Sequence, residues 1–221
     1  AHNMYYLLLT ILYLISLLPL RVLYLLSDFA FLILYHIVGY RKDIVWDNLR
    51  HAFPEKTEQE LHHICKKFYH SFCDQWIETI KLLSISKTQL DKRCAANWEV
   101  FEQLNATSKN TYAMLGHTFN WEWANVACAY NAPQLYAGVY LPVTATAIDR
   151  LMLHLRSRSG AVLISMKALK TGLSKLRDKT YILALIADQN PVLYGTAHWE
   201  SFMNREAPFF KGGEQMARRA K

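Results

Sequence analysis

Apolar and polar positions follow two different rhythms along this chain, and the change comes near residue 111. The first rhythm is nearly unbroken. From Met4 to Leu20 the chain reads MYYLLLTILYLISLLPL, seventeen residues without a charge. After Arg21 a second run follows, VLYLLSDFAFLILYHIVG, interrupted only by Asp28 and His36. Seventeen residues sit at the short end of what crosses a bilayer. A secretory signal would need a basic start and a small-residue cleavage site, and neither is present. Tyr5 and Tyr6 suit an interfacial anchor, and Arg41-Lys42 after the second run assign that end to the cytoplasmic side. The expectation is one membrane-spanning or deeply inserted helix, then a helix lying along the membrane or packed on the domain. A soluble chain with a buried helical hairpin is the rival.

The next stretch, VGYRKDIVWDNLRHAFPEKT, predicts a helix with Ile44, Val45, Leu49 and Phe53 on one side, stopped by Pro54. Thr57 with Glu60 forms a capping box for another helix. Its apolar stripe is Leu61, Ile64, Phe68, Phe72, Trp76 and Ile80, at helical spacing. His62, His63 and His70 lie off that stripe and read as solvated.

From residue 111 short apolar runs alternate with helical stretches. TYAML (111–115), QLYAGVYLP (134–142), AVLIS (161–165) and TYILALIA (180–187) read as strands. Between them Trp121 to Tyr130, Ala145 to Ser157 and residues 168–177 read as helices. This order implies an α/β fold, a mainly parallel or mixed sheet flanked by helices. The expected divisions are membrane-anchoring helices over 1–40, a helical lead-in over 41–110 and an α/β core over 111–221.

Composition narrows the function classes. At 52% apolar and 19% charged residues, the 221-residue chain is no disordered segment. Its formal charge of +7 suits a phosphate-rich partner, nucleic acid or an anionic membrane. The apolar N-terminus selects the membrane, so no nucleic-acid partner is expected. Cys65, Cys73, Cys94 and Cys128 form no CxxC pair and complete no zinc spacing with histidines, so they read as buried thiols, with no metal or cofactor expected.

Sites in parallel sheets gather at the carboxyl ends of strands. His117 falls just beyond TYAML and Asp188 just beyond TYILALIA, two polar groups far apart in sequence but at equivalent places. In GHTFNWEW (116–123), His117 and Glu122 stand five apart. On one helix face that spacing fails. With His117 in the turn and Glu122 in the first helical turn, the carboxylate can reach one imidazole nitrogen and leave the other as a base. No Ser or Cys sits in a GxSxG elbow, so the nucleophile is expected to be a hydroxyl or amine of the substrate.

HxxxxE after a strand resembles the signature of the glycerolipid acyltransferase superfamily. VGYRKDIVWDNLRHAFPEKTEQEL, GHTFNWEW, DRLMLHLRSRSGAVLI, IADQNP and FMNREAPFFKGGEQMARR resemble its lipid A late acyltransferase branch, the lauroyl and myristoyl transferases, over about residues 20–219. Thr118 and Phe119 replace the Phe and Gly usual there, a change near the expected oxyanion. Relatives of this kind continue past the last segment, so the chain reads as truncated at Lys221 or short by nature.

The resemblance implies acyl transfer from acyl carrier protein or coenzyme A to a hydroxyl of a lipid A precursor, at the cytoplasmic face of a bacterial inner membrane. Another lipid acceptor (an aminolipid, a lysophospholipid or a phosphatidylinositol mannoside) and a non-catalytic lipid-binding protein are the alternatives. It implies His117 as general base, Glu122 as its partner, Asp188 as the DQ acid, and Arg156 or Arg158 as the arginine that stabilises the oxyanion or pairs with Glu122. Asn120, Arg150, Arg158 and Gln189 are further substrate-binding candidates. Arg150, Arg156, Arg158, Lys167, Lys170 and Lys175 form the expected basic surface near the cleft. Trp121, Trp123, Phe209 and Phe210 read as core or groove wall.

Overall fold

Four of the alternating segments pair into one parallel sheet in the computed structural model, which describes residues 2–118, 120–191 and 194–219. Strands β1 (Thr111–Leu115), β2 (Leu135–Tyr140), β3 (Val162–Ser165) and β4 (Tyr181–Ile186) lie in the order β1-β4-β2-β3. β4 is buried along nearly its whole length. Tyr181, Leu183 and Leu185 face one side, against Ile164, Leu176 and the partly buried Leu169 and Leu173. Ile182 and Ala184 face the other, with Tyr136, Phe101 and Cys128. Each fully buried aliphatic contributes about 2 kcal/mol, so strand burial outweighs any single cap of about 1 kcal/mol.

Helices cover both faces. α6 (Glu99–Ala106) and α7 (Trp121–Asn131) supply one, and α9 (Leu169–Ser174) and α10 (Gly212–Arg219) the other. α8 (Thr146–Ser157) packs beside α7. α9 is shorter than the expected 168–177 helix. A 3-10 turn over Met166–Ala168 precedes it, and at Gly172 a Cβ would meet Ile164 Cγ2 at 2.4 Å. A two-stranded antiparallel hairpin, β5 (His198–Phe202) and β6 (Arg205–Phe209), follows the sheet. Its turn is fixed to helix α3 (Lys42–Ala52), where the Arg205 guanidinium donates to Asp47 Oδ2 and Asn48 Oδ1.

The first half is helical. α4 (Glu58–Lys81) begins at the expected capping box, with the Glu60 amide donating to Thr57 Oγ1 and the Thr57 amide to Glu60 Oε2. A second box, Ser86 with Gln89, starts the short α5 (Lys87–Asp91) and escaped the sequence reading. The buried stripe of α4 differs from expectation. It is Leu61, Cys65, Tyr69 and Cys73, every fourth residue, while Phe68 and Trp76 are exposed. The small thiols let the neighbouring helix approach, and the larger aromatics form a separate ladder in which Phe68 stacks on Phe72 and Trp76 meets it edge-on. Cys94 and Cys128 are only partly buried. Nor is His70 simply solvated, since it lies between Asp28 and Asp74.

At the N-terminus the break falls earlier than Arg21. α1 (His2–Ser16) has 15 residues, about 22 Å, too short for a hydrocarbon core of about 30 Å. Ser16 Oγ turns back to the Tyr13 carbonyl, and Pro19 precedes the next helix. α2 (Leu20–Leu32) continues through a π-helical stretch, Ile33–Val38. Together these 19 residues make a helix long and apolar enough to cross a membrane, so the long helix is the second run rather than the first.

Candidate active site

The β1–β4 register decides the geometry. Leu115 pairs with Ile186, so the positions two residues beyond each strand, 117 and 188, face one another. Asp188 accepts from the His117 backbone amide at 2.7 Å with Oδ2 and lies 2.6 Å from His117 Nδ1 with Oδ1. A carboxylate only accepts, so this contact puts the ring proton on Nδ1 and leaves Nε2 as the basic nitrogen. Burial works to raise the Asp188 carboxyl, but the His117 side-chain and amide hydrogen bonds outweigh it and hold the group below its ordinary value. Gly116 makes the approach possible, because a Cβ there would stand 3.1 Å from Asp188 Oδ2.

Glu122 does not take the place expected for it. It is 2% exposed in the first turn of α7 and faces α8. There Arg156 binds it with two prongs, Nη2 to Oε1 at 2.6 Å and Nε to Oε2 at 2.9 Å. The contact foreseen between Glu122 and His117 is thus replaced by His117–Asp188 and Glu122–Arg156. The reason is burial: a desolvated carboxylate needs a full cation, and the α8 guanidinium provides one in matching planar geometry. Trp121 joins the two pairs. Its ring meets His117 edge-on at 5.0 Å, and the Arg156 guanidinium lies over it at 5.1 Å.

The other candidates separate. Asn120 is buried and caps α7, its Oδ1 accepting from the Trp123 amide at 3.0 Å. Its Nδ2 donates to Glu78 Oε2 at 2.6 Å. Arg158 turns away and donates to the Ile85 carbonyl at 2.9 Å, joining α8 to the α4–α5 turn. Arg150 lies over the Tyr5 ring at 4.1 Å and holds α1. Gln189 is exposed just after Asp188. Lys167, Lys170 and Lys175 are exposed around α9. Trp123 is core, its indole donating to the Glu78 carbonyl at 2.7 Å. Phe119, one of the two unusual residues, lies outside the described residues.

His117 and Asn120 open into a cleft of about 410 Å³ whose opposite wall is α4. Ser71, Asp74, Gln75 and Glu78 line it, with Phe68 and Phe72 beside them. The sequence reading missed this wall. Its signal was present: positions 71, 74, 75 and 78 share one helix face, a polar strip next to an aromatic one. Tyr24 also lines the cleft and donates to Glu78 Oε1 at 2.6 Å.

Compared with known protein families, residues 1–221 match the profile of the bacterial lipid A biosynthesis acyltransferases. The chain belongs to that family. A comparison with curated proteins gives no match. As a lipid A biosynthesis acyltransferase, the protein is an enzyme that uses an acyl donor and a lipid acceptor. The family and the apolar α2 agree with association with a membrane.

Proposed function

We propose that this acyltransferase moves a fatty acyl chain from acyl carrier protein or coenzyme A to a hydroxyl of a lipid A precursor, on the cytoplasmic face of the inner membrane. His117 Nε2 takes the proton of the acceptor hydroxyl as its oxygen attacks the thioester carbonyl. The tetrahedral intermediate collapses, the C–S bond breaks, and the imidazolium returns its proton to the departing thiolate. Asp188 keeps the ring in the required tautomer and stabilises the imidazolium. Glu122 holds the Arg156 guanidinium over the Trp121 ring, and we assign the oxyanion to Nη1, the nitrogen that Glu122 does not engage.

The observation that carries this reading is the double grip of Asp188 on His117 at the mouth of a cleft. No side-chain nucleophile is required, which suits direct transfer to the acceptor. The test is transfer of radiolabelled acyl groups on membranes, with each donor in turn and with lipid A precursor, lysophospholipid and aminolipid as acceptors. Transfer to the lipid A precursor, lost by 10²-fold or more in His117→Ala, is the expected result. A His117→Ala protein with near wild-type turnover overturns the role of the base. Transfer to a different acceptor alone overturns the assigned substrate.

A further inference from the structure

The manner in which α2 meets the rest of the protein bears on how the enzyme sits at the lipid surface. By length and composition the 19 residues from Leu20 to Val38 could cross a bilayer, at about 28 Å. Yet one face of this helix, Leu23, Ser27, Phe31 and Tyr35, is buried. Polar contacts with α4 recur along it. The Tyr24 hydroxyl donates to Glu78, Asp28 Oδ1 lies 2.8 Å from His70 Nε2, and the Tyr35 hydroxyl lies 3.2 Å from His62 Nε2. As the α2 numbers rise the α4 numbers fall, so the helices run antiparallel and share one depth.

α4 is no membrane helix. Beside these contacts it exposes His63, Lys66 and Lys67. If α2 crossed the bilayer, α4 and its charges would be carried to the midplane with it. Charged groups are most costly there unless they face a bundle interior or water. The outer face of α2 has the opposite character, with Leu25, Phe29 and Ile37 each more than 60% exposed. α1 repeats the arrangement. Tyr5, Leu8, Leu9 and Leu12 pack against the domain, while Leu7, Ile11 and Leu14 are exposed. Arg21, Arg41 and Lys42 flank the apolar surface, and the whole chain carries +7, suited to anionic headgroups.

Resting on the reading that the enzyme works at a membrane, we propose that α1 and α2 lie in a single lipid leaflet rather than crossing the bilayer, with the His117 cleft opening at the lipid surface. Tyr24 ties the cleft to the leaflet, since it belongs to α2 and lines the same cleft as His117. A lipid acceptor can therefore reach the base along α2 without leaving the leaflet.

The test is a depth profile of the full-length protein. Val22→Cys, Phe29→Cys and Ile37→Cys place a thiol-reactive bimane at three exposed positions of the helix. Wild-type protein labelled in parallel gives the background from its own cysteines. The labelled proteins are bound to vesicles containing phosphatidylglycerol, with nitroxides at the headgroup or deep in the chain. A common shallow depth at all three positions, roughly 5–10 Å into the boundary, is expected. A graded profile, with Phe29 deepest and the two ends shallow, overturns the proposal. So does the absence of quenching at every position. The readout requires no turnover, so an active enzyme with a graded profile would sink this topology and leave the acyl transfer standing.

Discussion

Asp188 holds His117 twice, through the imidazole Nδ1 at 2.6 Å and through the backbone amide at 2.7 Å. The first contact fixes the tautomer and the second fixes the turn that carries the ring. Asp188→Asn keeps the shape but offers an amide where a carboxylate stood. It should lower kcat by about 10²-fold or more, with KM changed much less. Steady-state kinetics on the wild type and the variant checks this, and an Asp188→Asn enzyme with full kcat would remove the carboxylate from the proposed mechanism.

The same contact has a pH signature in stability. The Asp188 carboxyl is held below its ordinary value of 3.8 in the folded protein. A depressed carboxylate stabilises the fold above its unfolded value, and that stability is lost as pH falls through the folded one. As pH falls below about 4 the wild-type Tm should therefore fall more steeply than that of Asp188→Asn. Parallel slopes would show that the pair does not contribute.

Gly116→Ala tests the approach itself. The new Cβ would stand 3.1 Å from Asp188 Oδ2, so the carboxylate must yield by a few tenths of an ångström. The fold has no other reason to change. A displacement of this order at the carboxylate that positions the proposed base should cost roughly tenfold in kcat, with Tm nearly constant. Unchanged kcat would mean that the carboxylate tolerates the shift.

Glu122 and Arg156 are a buried pair, so removing one partner strands the other. Glu122→Gln and Arg156→Met should each destabilise the protein by about 3 kcal/mol. The double variant should cost clearly less than the sum, with a coupling above about 1 kcal/mol. Denaturant unfolding of the four proteins gives the cycle. Strict additivity would deny the pairing.

Burial pushes the Cys128 thiol up to about 11, with Cys94 adding to the effect. The thiolate, not the thiol, reacts with maleimide. At pH 8 Cys128 should therefore stay unmodified in folded protein and react fully in denaturant, as mass spectrometry of peptides would show.

Strands and most helices were legible because each depends on local periodicity. Thr57 with Glu60 announces the start of α4 by spacing alone. Pairings across the fold were not. Asp188 reaches His117 because β4 inserts beside β1, and strand order is invisible to a local pattern. An arginine partner for Glu122 was among the expectations, but the choice of Arg156 over Arg158 follows from α8 packing beside α7. Arg150 was read as cleft charge but lies on Tyr5, since no local pattern shows that α1 packs beside α8. On α4 the largest apolar residues suggested the core, whereas the seam took Cys65 and Cys73, whose small side chains permit close approach. Tyr24 and Glu78 stand 54 residues apart on different helices and meet only in the folded chain.

Trp121 touches both halves of the site, with His117 edge-on to its ring and the Arg156 guanidinium over it. An imidazolium quenches a neighbouring indole far more strongly than a neutral imidazole does. The emission of Trp121 is therefore a built-in optical gauge of the charge on His117. With the other five tryptophans replaced by phenylalanine, brightness against pH would trace the titration of a single ring, free of substrate and free of label. Acyl donor or acceptor arriving in the cleft would register as a displacement of that curve, which makes occupancy measurable in an enzyme held short of turnover.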